Sequence, residues 1–71
     1  MGVGIPLKEL VLLFSPNKCI LIRVYSKKGL EALVNAKPLD IIQNDDIKDT
    51  QAINILYNKG ESHFIIEVVK N

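Results

Sequence analysis

The chain is predicted to be an α+β domain: a short N-terminal helix packed on a four-stranded, mainly antiparallel sheet made of two β-hairpins. Three observations lead there. Lys18 to Tyr25 is a β-branched and aromatic run bounded by Ser15-Pro16-Asn17 and Ser26-Lys27-Lys28-Gly29, the signature of a strand. Leu7, Leu10, Val11 and Phe14 recur before it at helical spacing. Two further runs, Thr50 to Tyr57 and Ser62 to Val69, flank Lys59-Gly60 as the arms of a second hairpin.

Each element follows from local chemistry. Pro6 can open the helix, because its missing N–H costs nothing at the first helical position. Ser15-Pro16 ends the helix, since the residue before a proline avoids helical angles. Leu12 and Leu13 widen its apolar surface beyond one stripe. In the first strand Ile20, Ile22 and Val24 share one face, while Cys19, Leu21, Arg23 and Tyr25 share the other. A three-residue loop Lys27-Lys28-Gly29 with Gly29 left-handed sets Ser26 against Leu30, Val24 against Ala32, Ile22 against Val34 and Ile20 against Ala36; a two-residue loop sets Asn35 against Ile22. Between Pro38 and Asp49 the pattern breaks. Leu39, Ile41, Ile42 and Ile47 can anchor this segment, and Asn44-Asp45-Asp46 reads as an exposed turn. For the second hairpin a two-residue loop ending in a left-handed Gly60 pairs Ile55 with Phe64 and Ile53 with Ile66. The helix is then expected to cover Ile20, Ile22, Val24, Ala32, Val34, Ile53, Ile55, Phe64, Ile66 and Val68.

The opposite face of this sheet carries Leu21, Leu33, Leu56, Ile65 and Val69 among Arg23, Tyr25, Glu31, Asn35, Asn54, His63 and Glu67. An antiparallel sheet face open to water should be mostly polar, and five large aliphatics exceed that. Either residues 39–47 fold over part of the face, or it is an interface, as contiguous apolar patches usually are. Arg23 and Tyr25 at its centre match interface composition.

Length supports the second reading. The 71 residues make a single domain, residues 1–71, and a domain so small buries only about 60% of its unfolded surface. Disulfides, metals or oligomerisation usually supplement such a core. With one cysteine, Cys19, there is no internal disulfide, and with one histidine there is no metal-ligand cluster. A homo-oligomer is therefore expected. Nine Lys and Arg against eight Asp and Glu give a net charge of +1, which argues against generic nucleic-acid binding. Apolar residues at 48% argue against disorder. The longest apolar run, Leu10 to Phe14, cannot span a membrane. No signal peptide is visible, and Pro6 stands where a myristoylated Gly2 needs Ser or Thr. A reducing, cytoplasmic setting is expected.

No catalytic constellation emerges. Nothing in the spacing brings Cys19 to His63, the only histidine. Asp45, Asp46 and Asp49 do not follow calcium-loop spacing, so no metal and no cofactor is expected. Arg23, mid-strand, can pair with Glu31 or Glu67 across the sheet. Freed, it could grip a phosphate or carboxylate bidentately, with Tyr25 for stacking and Lys27, Lys28 and Lys59 as a cationic rim if the hairpin tips share one end of the sheet. Glu31, expected directly across from Tyr25, opposes that use.

Leu7-Lys8-Glu9-Leu10, the strand Ile20 to Tyr25, the segment Ala36-Lys37-Pro38-Leu39-Asp40-Ile41 and the closing Phe64 to Val69 together resemble a loose class of small phage and prophage accessory proteins. Those have a short Leu-rich helix followed by two hairpins. The resemblance spans nearly the whole chain and carries over no functional residue. Its implication is stoichiometric action against a host defence, by binding a defence protein or sequestering a signalling nucleotide. The expectation is thus a non-enzymatic, oligomeric binding protein of the host cytoplasm, with a protein partner or a small anionic ligand such as a nucleotide. Arg23, Tyr25, Lys27, Lys28, Lys59 and His63 are the candidate contacts. The alternative is an accessory subunit of a larger assembly that docks through the mixed sheet face.

Overall fold

The structure, a computed structural model, describes residues 4–70. Gly2, on which the myristoylation reading turned, lies outside the described residues. In chain order the elements are β1 (Ile5–Pro6), α1 (Leu7–Leu10), a 3-10 turn (Val11–Leu13), β2 (Ile20–Ser26), β3 (Gly29–Ala36), α2 (Pro38–Ile42), β4 (Gln51–Asn58) and β5 (His63–Val69). The α+β class holds, but the sheet has five strands in the order β1-β4-β5-β2-β3. It is mixed: β2 and β5 run parallel at its centre, and the other neighbours are antiparallel. The central pair brings together the two most continuously apolar strands, whose Ile20, Ile22, Val24, Ile66 and Val68 are at most 2% exposed. Strands flanked on both sides bury such runs best.

The extra strand takes Pro6, where the helix was expected to open, together with the preceding Ile5. Ile5 and Pro6 pair with Ala52 and Gln51, and Pro6 adopts an extended ψ of 140° just ahead of α1. The first N–H groups of a helix lack internal partners. Here Leu7 and Lys8 donate theirs to the carbonyls of Thr50 and Lys48, at 2.8 and 2.9 Å. The helix itself is one α turn continued by a 3-10 turn, and the predicted stripe is its inner side. Leu7, Leu10 and Val11 are buried and Phe14 half-buried, while Leu12 and Leu13 face solvent.

Residues 38–49 fold onto this same side. Ile41 and Ile47 belong to one buried cluster with Leu7, Leu10, Val11, Ile22 and Val68; Leu39 is exposed. Asn44 Oδ1 accepts the N–H of Asp46 in the predicted turn. The opposite face of the sheet is thus left without a covering element among the described residues. The helical layer covers β4 only at its start, where Ala52 is buried. Ile53, Ile55 and Phe64, expected beneath the helix, stay 37–40% exposed, and Ala32 is exposed as well.

Both hairpins differ from expectation at their tips. In the first, Val24–Ala32, Ile22–Val34 and Ile20–Ala36 pair as predicted. Ser26, however, pairs with Gly29, and a bulge at Glu31 restores the register beyond Tyr25–Leu30. Glu31 therefore does not face Tyr25 directly. Gly29 has a positive φ of 107°. In the second hairpin Asn58 pairs with His63, leaving Lys59 to Ser62 as the loop and setting Ile55 against Ile66 and Tyr57 against Phe64. The left-handed residue is Ser62 at φ 55°, not Gly60. Asn58 explains the longer loop: its Oδ1 accepts the N–H groups of Gly60 and Glu61 at 2.9 and 3.2 Å. The slip is by two residues, so side chains from Asn54 to Glu67 keep their predicted faces, but the bulge at Ile53 turns Ala52 to the core beside Val68.

Candidate functional site

The open face is built on the parallel centre of the sheet. Arg23 on β2 lies beside Glu67 on β5 and Leu33 on β3; Leu21 lies beside Ile65, Tyr25 beside Val69, and Leu56 on β4 beside Ile65. All five aliphatic residues picked out from the sequence therefore share this surface. Ile65, between Leu21 and Leu56, is only 6% exposed, while Leu33 and Leu56 are 59% and 39% exposed.

Its polar centre is organised by Glu67. The Tyr25 hydroxyl donates to Oε2 at 2.9 Å, the Asn54 amide donates to Oε1 at 3.1 Å, and the Arg23 guanidinium stands 3.5 Å from Oε2. The hydrogen bonds from Asn54 and Tyr25, reinforced by Arg23, hold the Glu67 carboxyl below its usual range against the opposing effect of burial. Of the two partners foreseen for Arg23, Glu67 takes the role. The result is an internally neutral polar cluster with aliphatic groups around it.

The expected cationic rim is divided. Because β2 and β5 are parallel, the β2–β3 turn and the β4–β5 loop lie at opposite ends of the sheet. Lys27 and Lys28 therefore stand apart from Lys59. Beside them is Lys70, whose N–H donates to the Tyr25 carbonyl at 2.8 Å. Ser26, Lys27, Lys28, Glu31 and Lys70 line a shallow depression of about 440 Å³. Lys70 was missed because nothing local in the sequence signals a parallel pairing over 44 residues.

His63 belongs to the other end, with Phe14, Cys19, Tyr57 and Phe64 around a cleft of about 130 Å³. Phe64 meets Phe14 edge-on and Tyr57 at a tilt, each at 4.9 Å between ring centres. His63 Nδ1 is 3.5 Å from Glu61, and its Nε2 is buried without a partner among the described residues. The loop acids are held by lysines: Asp45 by Lys48 at 3.0 Å and Asp49 by Lys8 at 2.9 Å. No group of three or more His, Cys, Asp or Glu that could hold a metal ion occurs among the described residues. No helix among them is long and apolar enough to cross a membrane.

No protein-family model, curated protein or solved structure matches the chain. The geometry of the open face therefore carries the functional reading.

Proposed function

We propose that the protein is a non-enzymatic binding protein that docks a protein partner on the open face of its sheet. The observation that supports this is the face itself: Leu21, Leu33, Leu56, Ile65 and Val69 surround a neutralised Arg23–Glu67–Tyr25–Asn54 cluster, and both helices pack on the other side. Such a surface is apolar enough to gain from burial. Its central charges, Arg23 and Glu67, already face each other, so covering the face leaves no unpaired charge at its centre. The resemblance to small phage and prophage accessory proteins makes the partner a host defence protein met in the cytoplasm and inhibited by stoichiometric binding. An accessory subunit of a larger assembly would use the same face.

Nucleotide sequestration is supported more weakly. Lys27, Lys28 and Lys70 share a depression, but Glu31 lines it too and Arg23 is engaged by Glu67. The test compares recovery of a co-purifying partner by the wild type, Leu33→Asp, Leu56→Asp and the helix-side variant Leu12→Asp, all checked for folding by circular dichroism. The two face variants are expected to weaken binding by tenfold or more, since each large aliphatic side chain contributes about 1.5–3 kcal/mol when buried, and Leu12→Asp is expected to keep it. Loss with Leu12→Asp and retention with both face variants would place the partner on the helices instead. Calorimetric titration with cyclic and linear nucleotides decides the second reading: heat that vanishes in a folded Arg23→Ala variant supports it.

A further inference from the structure

Apart from its open face, the sheet has an open edge. β4 lies next to the short β1, which pairs only with Gln51 and Ala52, and a register shift at Ile53 interrupts the strand just beyond. β3 (Gly29–Ala36), at the other end of the sheet, pairs with β2 alone, through every residue but the bulged Glu31. Natural edge strands are usually blunted by lysine, proline or a bulge. β3 contains neither Lys nor Pro, and its bulge sits at Glu31 beside the turn. From Ala32 to Ala36 the ladder is regular, and Lys37 continues extended at φ −78° and ψ 156° before α2 begins.

The charges on this edge are self-complementary. Glu31 stands at one end and Lys37 at the other, both exposed. Neither makes an ion pair among the described residues, whose four pairs lie elsewhere. In an antiparallel pairing of β3 with β3 of a second copy, centred on Val34, Val34 meets its own counterpart and Ala32 meets Ala36. Glu31 then meets Lys37 twice, once on each side of the two-fold axis. Leu33 comes diagonal to its counterpart on the open face, within reach for side-chain contact. A two-fold arrangement closes after two copies, whereas joining β3 to the β4 edge of another copy gives larger rings or an open filament.

We infer that β3 is a self-association edge, on which a second copy of this chain adds antiparallel about Val34 to make one continuous ten-stranded sheet. Main-chain hydrogen bonds supply the adhesion, and the Glu31–Lys37 pairs set the register. The pairing joins the open faces of the two copies side by side and leaves both accessible, so it does not depend on the docking role assigned to that face.

The test is the dissociation constant of the full chain by sedimentation equilibrium. The wild type is expected to dimerise at micromolar concentration. Glu31→Lys and Lys37→Glu alone each set like charges together at both pairs, and should weaken the dimer at least about fivefold; the double exchange should restore it. Leu56→Asp, on the open face but on β4, should leave the dimer unchanged. In a Cys19→Ser background, Val34→Cys should form a disulfide-linked dimer under mild oxidation, because directly opposed residues fall within disulfide range. A monomer at 100 µM (roughly 60% of the chain would be dimeric even at a weak constant near 50 µM) overturns the inference and leaves the docking reading intact. A dimer indifferent to the charge exchanges but lost with Leu56→Asp also overturns it, and would place the second copy on the face itself in place of a foreign partner.

Discussion

Glu67 is the residue on which the open face turns. One carboxylate accepts from Tyr25 and Asn54 and faces Arg23, so three side chains from two neighbouring strands depend on its charge. Its folded-state acidity is enhanced relative to the ordinary carboxylate value of 4.5. A group whose pKa is lower folded than unfolded stabilises the fold above the unfolded value and loses that contribution as the pH falls through the folded one. The thermal midpoint of the wild type should therefore decline on acidification below about 4.5. Glu67→Gln should cost about 1–2 kcal/mol at neutral pH, the difference between charged and neutral acceptors, and should flatten the acid limb. Melting curves from pH 7 to 3 check this; parallel acid limbs in the two proteins would show that the carboxylate charge is not what holds the cluster. Arg23 and its choice between two acids were legible in the sequence. The convergence of Asn54 and Tyr25 on one of them was not, because it depends on β5 lying between β2 and β4.

At the scale of elements, period-two patterning read the faces correctly except where the β4 bulge intervenes, as at Ala52, and read the turns poorly. Ile20, Ile22 and Val24 were placed on the core face because alternation alone decides it. The tip of the second hairpin escaped because a two-residue slip preserves every face, so apolar pairing cannot choose between loops of two and four residues. Asn58, which caps two N–H groups from its own side chain, was the missed signal. The strain at Ser62 follows from that longer loop. At φ 55° a side chain crowds its own backbone by about 1–2 kcal/mol, a cost glycine avoids while adding unfolded-state freedom. Ser62→Gly should therefore be neutral or stabilising by up to about 1 kcal/mol. Gly29→Ala, at φ 107°, should instead destabilise by about 1–3 kcal/mol. Denaturant midpoints measured side by side give both signs, and equal shifts would contradict the assigned turn geometries.

For the whole molecule, the decisive feature is that neither hairpin is a unit. β5 is the neighbour of both β2 and β4, and its Ile66 and Val68 complete the cluster that α1 and α2 cover. The sequence suggested two hairpins side by side under a helix. Local pairing preferences are silent about which edges then meet, and the order and the parallel contact are set by how the apolar faces are jointly buried. A chain ending at Ser62 should consequently keep no cooperative unfolding transition, although β2 and β3 and their turn remain in it. Circular dichroism with thermal melting decides this; a residual sigmoidal transition would mean that the first hairpin and the helix form a core of their own.

The parallel contact also has a consequence for biosynthesis. β5 leaves the ribosome after both strands it must separate, at about 5–20 residues per second. For about 0.5–2 seconds the nascent chain carries β2, β3 and β4 with the central place vacant and Ile20, Ile22 and Val24 lacking one lateral neighbour. Folding must then await insertion of the late strand between two that are already present, a step dominated by distant pairings and slow for so small a chain. In that interval the chain is a natural client for chaperones that hold extended apolar segments. Its yield in the cell should depend on their supply more than the stability of the finished fold would indicate.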